Sequence, residues 1–291
     1  MTVFQGILLG ILQGIAEFLP ISSSGHLALA QNLFKLDDVP LLFDVFLHLA
    51  TLFAVCLYFW RKIARLFCVL GRWIARRPQP ESCLNLADSL AGSDRAGRRT
   101  IIAVIITTAI TAVIGIITSK KMPQLSIKST CAGFIVTAIL LIVSNLRRQH
   151  NEKVAEQKET SGEKNQPEGI SLLQSVIIGI MQGLGTLPGI SRSGSTIAGA
   201  LYSGVDAKTA GDYSFIVSIP AILGAFILEL KDLDQVSESI GAAPVIAGCA
   251  AAFCVGYISL TLLMKIIRRG KLHWFAAYLI PLGISGLMFL K

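Results

Sequence analysis

The chain has 291 residues, of which 53% are hydrophobic and only 15% charged, with a formal net charge of +8 and a mean hydropathy of +0.65. A soluble protein of this size needs a more charged surface, so several apolar runs of about 20 residues define a polytopic helical membrane protein. The basic excess is confined to loops between those runs, as the positive-inside rule requires, which argues against nucleic acid as a partner.

The first apolar region, 3–34, is broken near its middle by the stretch EFLPISSSGH at Glu17–His26. It lacks a basic leader, its first cation being Lys35, and Glu17 interrupts the apolar run, so it does not read as a signal peptide. A full span follows at about 41–60, carrying Asp44 and His48 four residues apart on one helical face. The basic stretch 61–77 then reads equally well as an interfacial helix touching anionic lipid or as a cytoplasmic extension of that span. Spans at about 101–118 and 129–146 come next, separated by a loop with Lys120, Lys121 and Lys128 that strains the charge rule. The mixed-charge segment 147–170 reads as a cytoplasmic linker. A second broken region, 171–204, precedes spans at about 208–230, 244–264 and 273–290, with an acidic loop at 231–243 and a basic one at 265–271. The six cysteines, Cys56, Cys68, Cys83, Cys131, Cys249 and Cys254, are scattered without CxxC spacing and read as free thiols.

The two broken regions repeat one another. GILQGIAEFLPISSSG (10–25) aligns with GIMQGLGTLPGISRSG (179–194), and an offset of 169 relates Gln13 to Gln182, Ser22 to Ser191 and Gly25 to Gly194. Each copy precedes three full spans, so halves of about 1–146 and 171–291 should face opposite ways within a single membrane domain. The expected fold is all-α: about six transmembrane helices plus two re-entrant helix-turn-helix segments in an inverted repeat. Their broken tips should meet near the midplane, where such architectures place a binding site.

Glu17 in an apolar segment points to function, because an unpaired carboxylate there is costly. Capping of a buried backbone end is the alternative. Gln13 shares its helical face. Ser22 and Ser23 stand where a helix restarts, a place suited either to an N-cap or to an anion. In the second copy Arg192 occupies the same kind of turn, flanked by Ser191, Ser193 and Thr196. Guanidinium matches phosphate oxygens bidentately. His26 offers proton transfer or nucleophilic attack. Asp44 and His48 read either as supports for the site or as a satisfied polar pair, and Asp212 as a support, a metal ligand or a helix cap.

These residues resemble a known family. QGIAEFLPISSSGH is similar to the (E/Q)xxxE motif of the bacterial undecaprenyl-diphosphatases linked to bacitracin resistance, and PGISRSGST resembles their PGxSRSG signature. FDVFLHLATLFAV and DYSFIVSIP also fall where that family has similar sequence, so the resemblance spans essentially the whole chain. It implies an inner-membrane enzyme that hydrolyses undecaprenyl diphosphate to undecaprenyl phosphate and inorganic phosphate, recycling the peptidoglycan lipid carrier. It also implies a divalent cation, Mg²⁺ or Ca²⁺, and a site open to the periplasmic side, with a homodimer left open. Carried over by position, Glu17, Ser23, His26 and Arg192 are catalytic, Ser191, Arg192, Ser193 and Thr196 hold the diphosphate, joined by Ser22 of the first helix restart, and Gln13 with Glu17 binds the metal. Gln13 stands where many members have Glu, so the metal would lose one charged ligand. Whether His26, Ser23 or water attacks phosphorus stays open. Two other readings are weaker. Acid-phosphatase-type lipid phosphatases share an SGH but need a His six residues after the Arg, where this chain has Ala198. A transporter or flippase would share the architecture but would not need Glu17, His26 and Arg192 together.

Overall fold

The computed structural model describes residues 1–34, 41–78, 88–119, 126–160, 169–229 and 241–290. The acidic stretch 231–240, Lys120, Lys121 and Cys83 lie outside them. The first half contains α1 (Val3–Phe18), α2 (Ser23–Leu33), α3 (Leu41–Ile74), α4 (Asp94–Ser119) and α5 (Ile127–Thr160). The second contains α6 (Leu172–Leu184), α7 (Arg192–Tyr202), α8 (Ala207–Glu229), α9 (Ala242–Arg268), a 3₁₀ turn (Leu272–Phe275) and α10 (Ala276–Phe289).

Six segments are long and apolar enough to cross a membrane: Phe43–Ile74, Asp94–Ser119, Ile127–Asn151, Ala207–Leu228, Ala242–Arg268 and Leu272–Phe289. The protein is thus a multi-pass membrane protein, and the six expected spans are all present. With 16 and 13 residues, α1 and α6 are too short to cross about 30 Å of hydrocarbon at ~1.5 Å per residue.

Local chemistry sets both breaks. α1 stops at Leu19, which takes the extended conformation that the following Pro20 favours. α6 stops at Gly185, three residues before Pro188. α2 and α7 restart on serine N-caps: Ser22 Oγ accepts from Gly25 N at 3.4 Å, and Ser191 Oγ from Gly194 N at 3.0 Å. The repeat extends to the helix starts, where Thr2 with Gln5 and Ser171 with Gln174 form matching capping boxes at the same offset of 169.

Two expectations change. The basic stretch 61–77 is not a separate interfacial helix, because α3 runs unbroken through Ile74. The linker is not loop-like over its first part, because α5 continues to Thr160. The sequence NEKVAEQKET is charged, but Glu, Lys, Gln and Ala are good helix formers and propagate the helix beyond the apolar span.

The halves pack reciprocally. α1 lies on α9 and α6 lies on α4, while α3 meets α8 and α5 meets α10. Small residues allow the close approach at the two exchanged pairs. A Cβ on Gly6 would stand 2.5 Å from the Pro244 carbonyl oxygen, and one on Gly14 would stand 2.8 Å from Gly256 N. On the other side a Cβ on Gly183 would stand 2.6 Å from Ile114 Cδ1. Thr107 Oγ1 donates to the Ser175 carbonyl at 2.9 Å and shares a 2.8 Å hydrogen bond with the Tyr213 hydroxyl, fixing α6 on α4 with α8 alongside. Phe18, Phe43, Phe134 and Tyr213 fill the interior, whereas Ile105, Ile139 and Ile258 are exposed on the outer face.

Candidate active site

The exchange of α1 and α6 brings the two breaks together, and an ion pair joins them. Glu17, at the end of α1, meets Arg192, at the start of α7, through Oε1 and Nη2. The Glu17 side chain is 4% exposed and that of Arg192 19%, so the pair is largely removed from solvent while the guanidinium keeps an open edge. The other carboxylate oxygen, Oε2, takes three more contacts: Ser23 Oγ donates at 2.6 Å, Gln13 Nε2 donates at 3.1 Å, and His48 Nε2 lies at 3.3 Å. His48 Nδ1 faces the Asp44 carbonyl oxygen at 2.7 Å, so both ring nitrogens face acceptors, an arrangement the imidazolium satisfies.

Ser22 has φ +72°, which is strained for a residue with a Cβ. The turn aims its carbonyl at His26, which bonds to it through both its backbone N–H (3.1 Å) and Nδ1 (2.8 Å). A carbonyl only accepts, so Nδ1 carries the proton, and in the neutral ring Nε2 accepts from the Tyr278 hydroxyl at 2.8 Å. Phe134 packs edge-on against the same ring, with centroids 5.1 Å apart.

The second break is pinned by its neighbours. Gly189, at φ +83°, passes so close to Thr130 that no side chain fits there. Thr137 Oγ1 accepts from Ser191 N at 2.9 Å. Ser193 Oγ donates to the Phe18 carbonyl at 3.1 Å, closing the α1 end that Leu19 leaves unfinished, and lies 3.2 Å from Ser191 Oγ. The starts of α2 and α7 therefore converge on one carboxylate and one guanidinium, with unpaired first-turn N–H groups and the positive ends of two helix dipoles available to an anion.

Of the residues singled out in the sequence, Gln13, Glu17, Ser22, Ser23, His26, Ser191, Arg192 and Ser193 assemble here. His48 is not merely a partner of Asp44; it touches Glu17 itself. The Asp44 carboxylate turns to Gln31 Nε2, at 2.9 Å. The Thr196 hydroxyl donates back to the Arg192 carbonyl at 2.5 Å and does not stand free for a ligand. Asp212 is misplaced by the sequence reading. It pairs with Lys62 at 2.5 Å, and Lys62 lies fourteen residues beyond His48 on α3, about 21 Å away at the helical rise. The packing of α8 on α3 explains this, since it sets the start of α8 against α3 well beyond His48. Tyr278 had no signal at all, standing 252 residues from its partner in a run that reads as plain span.

Among the described residues, no group of three or more His, Cys, Asp and Glu side chains converges in a metal cluster. The donor set nevertheless suits a hard cation shared with phosphate. Gln13 is fully buried and its Oε1 has no hydrogen-bond partner. It stands one helical turn from Glu17, and Mg²⁺ and Ca²⁺ take oxygen ligands of these two kinds.

A family model described as bacitracin resistance protein BacA matches residues 6–285. An undecaprenyl-diphosphatase of Treponema denticola is 46% identical over 285 residues, covering 98% of this chain and 96% of its own. Proteins of the same name from Desulforapulum autotrophicum and Borrelia hermsii are 37% and 35% identical, covering 99% and 96% of this chain and 98% and 96% of their own. With the match reaching across both breaks and all six spans, the chain belongs to the BacA family of bacitracin resistance proteins.

Proposed function

We propose that the chain hydrolyses undecaprenyl diphosphate to undecaprenyl phosphate and inorganic phosphate, in keeping with relatives named undecaprenyl-diphosphatase. The observation that carries the reading is the Glu17–Arg192 pair, which joins the end of α1 to the start of α7 and keeps a general base beside an anion-binding cation. The prenyl chain stays in lipid while the diphosphate enters between α2 and α7. Its oxygens replace Glu17 as the partner of Arg192 and also meet Ser191, Ser193 and the helix starts. Charge building on phosphorus oxygens is then stabilised by groups already in place.

Ser23 is the nucleophile in this reading, because its hydroxyl alone among the serines donates to the carboxylate, at 2.6 Å. Its Oγ forms a bond to the terminal phosphorus and the bond to the bridging oxygen breaks. The serine proton passes to Glu17 and on to the departing undecaprenyl phosphate. Water, deprotonated by Glu17, then attacks phosphorus, the bond to Ser23 Oγ breaks, and Glu17 returns the proton to that oxygen as phosphate leaves. His26 keeps the α2 turn and its backbone donors aligned through Ser22. Gln13 Oε1 and Glu17 would hold a divalent cation, which supplies Lewis-acid stabilisation of the phosphate charge.

Both short helix pairs are re-entrant in this reading, and the two halves form an inverted repeat. In this reading the basic segments at the ends of α3 and α9 lie in the cytoplasm of the bacterial cell, as the positive-inside rule supports, and the Glu17 site opens to the periplasmic side of the inner membrane. Rapid quenching of purified enzyme with radiolabelled prenyl diphosphate tests the chemistry. Label on Ser23, absent from Ser23→Ala, is expected. Full turnover by Ser23→Ala would instead assign attack to water.

A further inference from the structure

A second polar centre lies further along α3, around Lys62. A cavity of about 530 Å³ opens between α3, α8 and α9, within the size range of small-molecule sites. Five cations line it: Arg61, Lys62, Arg65, Lys208 and Arg268. Only two carboxylates do so, Asp88 and Asp212, and Lys62 binds both, at 2.9 and 2.5 Å. This trio, with a net charge of −1, is outweighed by the four other cations, Arg61, Arg65, Lys208 and Arg268. Arg61 lies over the Trp60 ring, 5.4 Å from its centroid. Arg65 and Lys208 have no hydrogen-bond or ion-pair partner among the described residues. The cavity therefore carries an excess of three positive charges within a wall of Tyr58, Phe59 and Tyr257. Low-dielectric walls strengthen that field. On its flank Leu57 and Trp60 are 52% and 57% exposed, an apolar and aromatic border of the kind found at a membrane interface.

We propose that this cavity is a second anion site, distinct from that of Glu17, which binds a phosphate group. The source is either the head group of an anionic lipid, whose chains would lie over Leu57 and Trp60, or free inorganic phosphate. Arg65 and Arg268 grip the oxygens, Lys208 closes the mouth, and the Lys62 trio fixes the floor. The site goes beyond the phosphatase reading and does not depend on it.

Titration of the purified full-length protein in uncharged detergent tests the assignment, with three probes followed by microscale thermophoresis: dihexanoyl phosphatidylglycerol, dihexanoyl phosphatidylcholine and inorganic phosphate. Saturable binding of the phosphatidylglycerol but not the phosphatidylcholine is expected. The Arg65→Gln/Lys208→Gln/Arg268→Gln triple variant should weaken it roughly tenfold or more, because basic residues at a membrane surface act nearly additively on anionic lipid. Binding of inorganic phosphate alone, lost in the same variant, would assign the free ion. The single variant Lys208→Gln, at an exposed position, guards against misfolding and should weaken binding severalfold. Arg192→Ala separates the two sites, since it should leave this binding intact whatever it does to hydrolysis. Equal binding by wild type and both glutamine variants, or no discrimination between the two lipids, would overturn the proposal.

Discussion

The Glu17–Arg192 pair can be tested as a unit by comparing Glu17→Gln, Arg192→Ala and the double variant. Removing Arg192 leaves a carboxylate only 4% exposed without its countercharge. Losing one partner of a buried pair costs about 3–5 kcal/mol. Here Ser23, Gln13 and His48 still face the carboxylate, so about 3 kcal/mol is expected. Glu17→Gln leaves Arg192 with 19% exposure and a stem long enough to reach water, so about 1 kcal/mol is expected. The double variant strands neither charge. It should cost about 2 kcal/mol, short of the summed single effects by a coupling on the order of 2 kcal/mol. Unfolding in mixed micelles by titration with sodium dodecyl sulfate, followed by circular dichroism, reads these differences. Phosphate release should behave differently. Each single variant should lose about 10²–10³ in kcat, and the double variant should recover none of it. Stability effects that add to within about 0.5 kcal/mol, or near-normal turnover by Arg192→Ala, would refute the pairing of roles.

Tyr278→Phe removes one neutral hydrogen bond from His26 and keeps the ring, so turnover should fall by less than about tenfold. It should have no further effect in a His26→Ala background, as double-mutant kinetics would show. Gly10→Ala places a methyl group against the Gly248 carbonyl, so it should push α1 off α9, lower the melting temperature and depress activity. Gly71→Ala, with nothing within 4 Å of the added Cβ, should do neither. At Asp88, burial works against the carboxylate, but the hydrogen bond and charge of Lys62 outweigh it and hold its pKa below the usual value. A lowered folded-state pKa contributes stability above the unfolded value of about 3.9 and loses it as pH falls through the folded one. Wild type should therefore melt above Asp88→Asn at pH 7, with the gap closing below about pH 4 in melts of both proteins across that range.

Much of the site was legible because repetition multiplies weak signals. A serine N-cap is common, but two at a constant offset, one beside Glu17 and the other beside Arg192, identify opposed helix starts. The spans were legible from length and hydropathy alone. Contacts between distant elements were not. Asp44 and His48, sharing a face, read equally as supports for the site or as each other's partners, and the fold sends the Asp44 carboxylate to Gln31 and His48 to Glu17. Asp212 read as a support, a metal ligand or a helix cap where the next span opens, and only the long-range packing of α8 on α3 carries it to Lys62. The helix past residue 147 was hidden by its charge, which reads as loop although its residue types favour helix. Nothing local marks Tyr278.

The exchange of α1 and α6 between halves also bears on how the enzyme is made. The short helix that carries Glu17 finds its packing surface on α9, more than two hundred residues later in the chain. Until α7 and α9 are inserted, Glu17 lacks Arg192 and the first segment lacks its main packing surface, having only α2 and α3 to rest on. A ribosome stalled in the second half would leave a set of spans but no reaction centre. Phosphate release thus serves as a readout of completed insertion, and two separately expressed halves should gain activity only when both enter the same membrane.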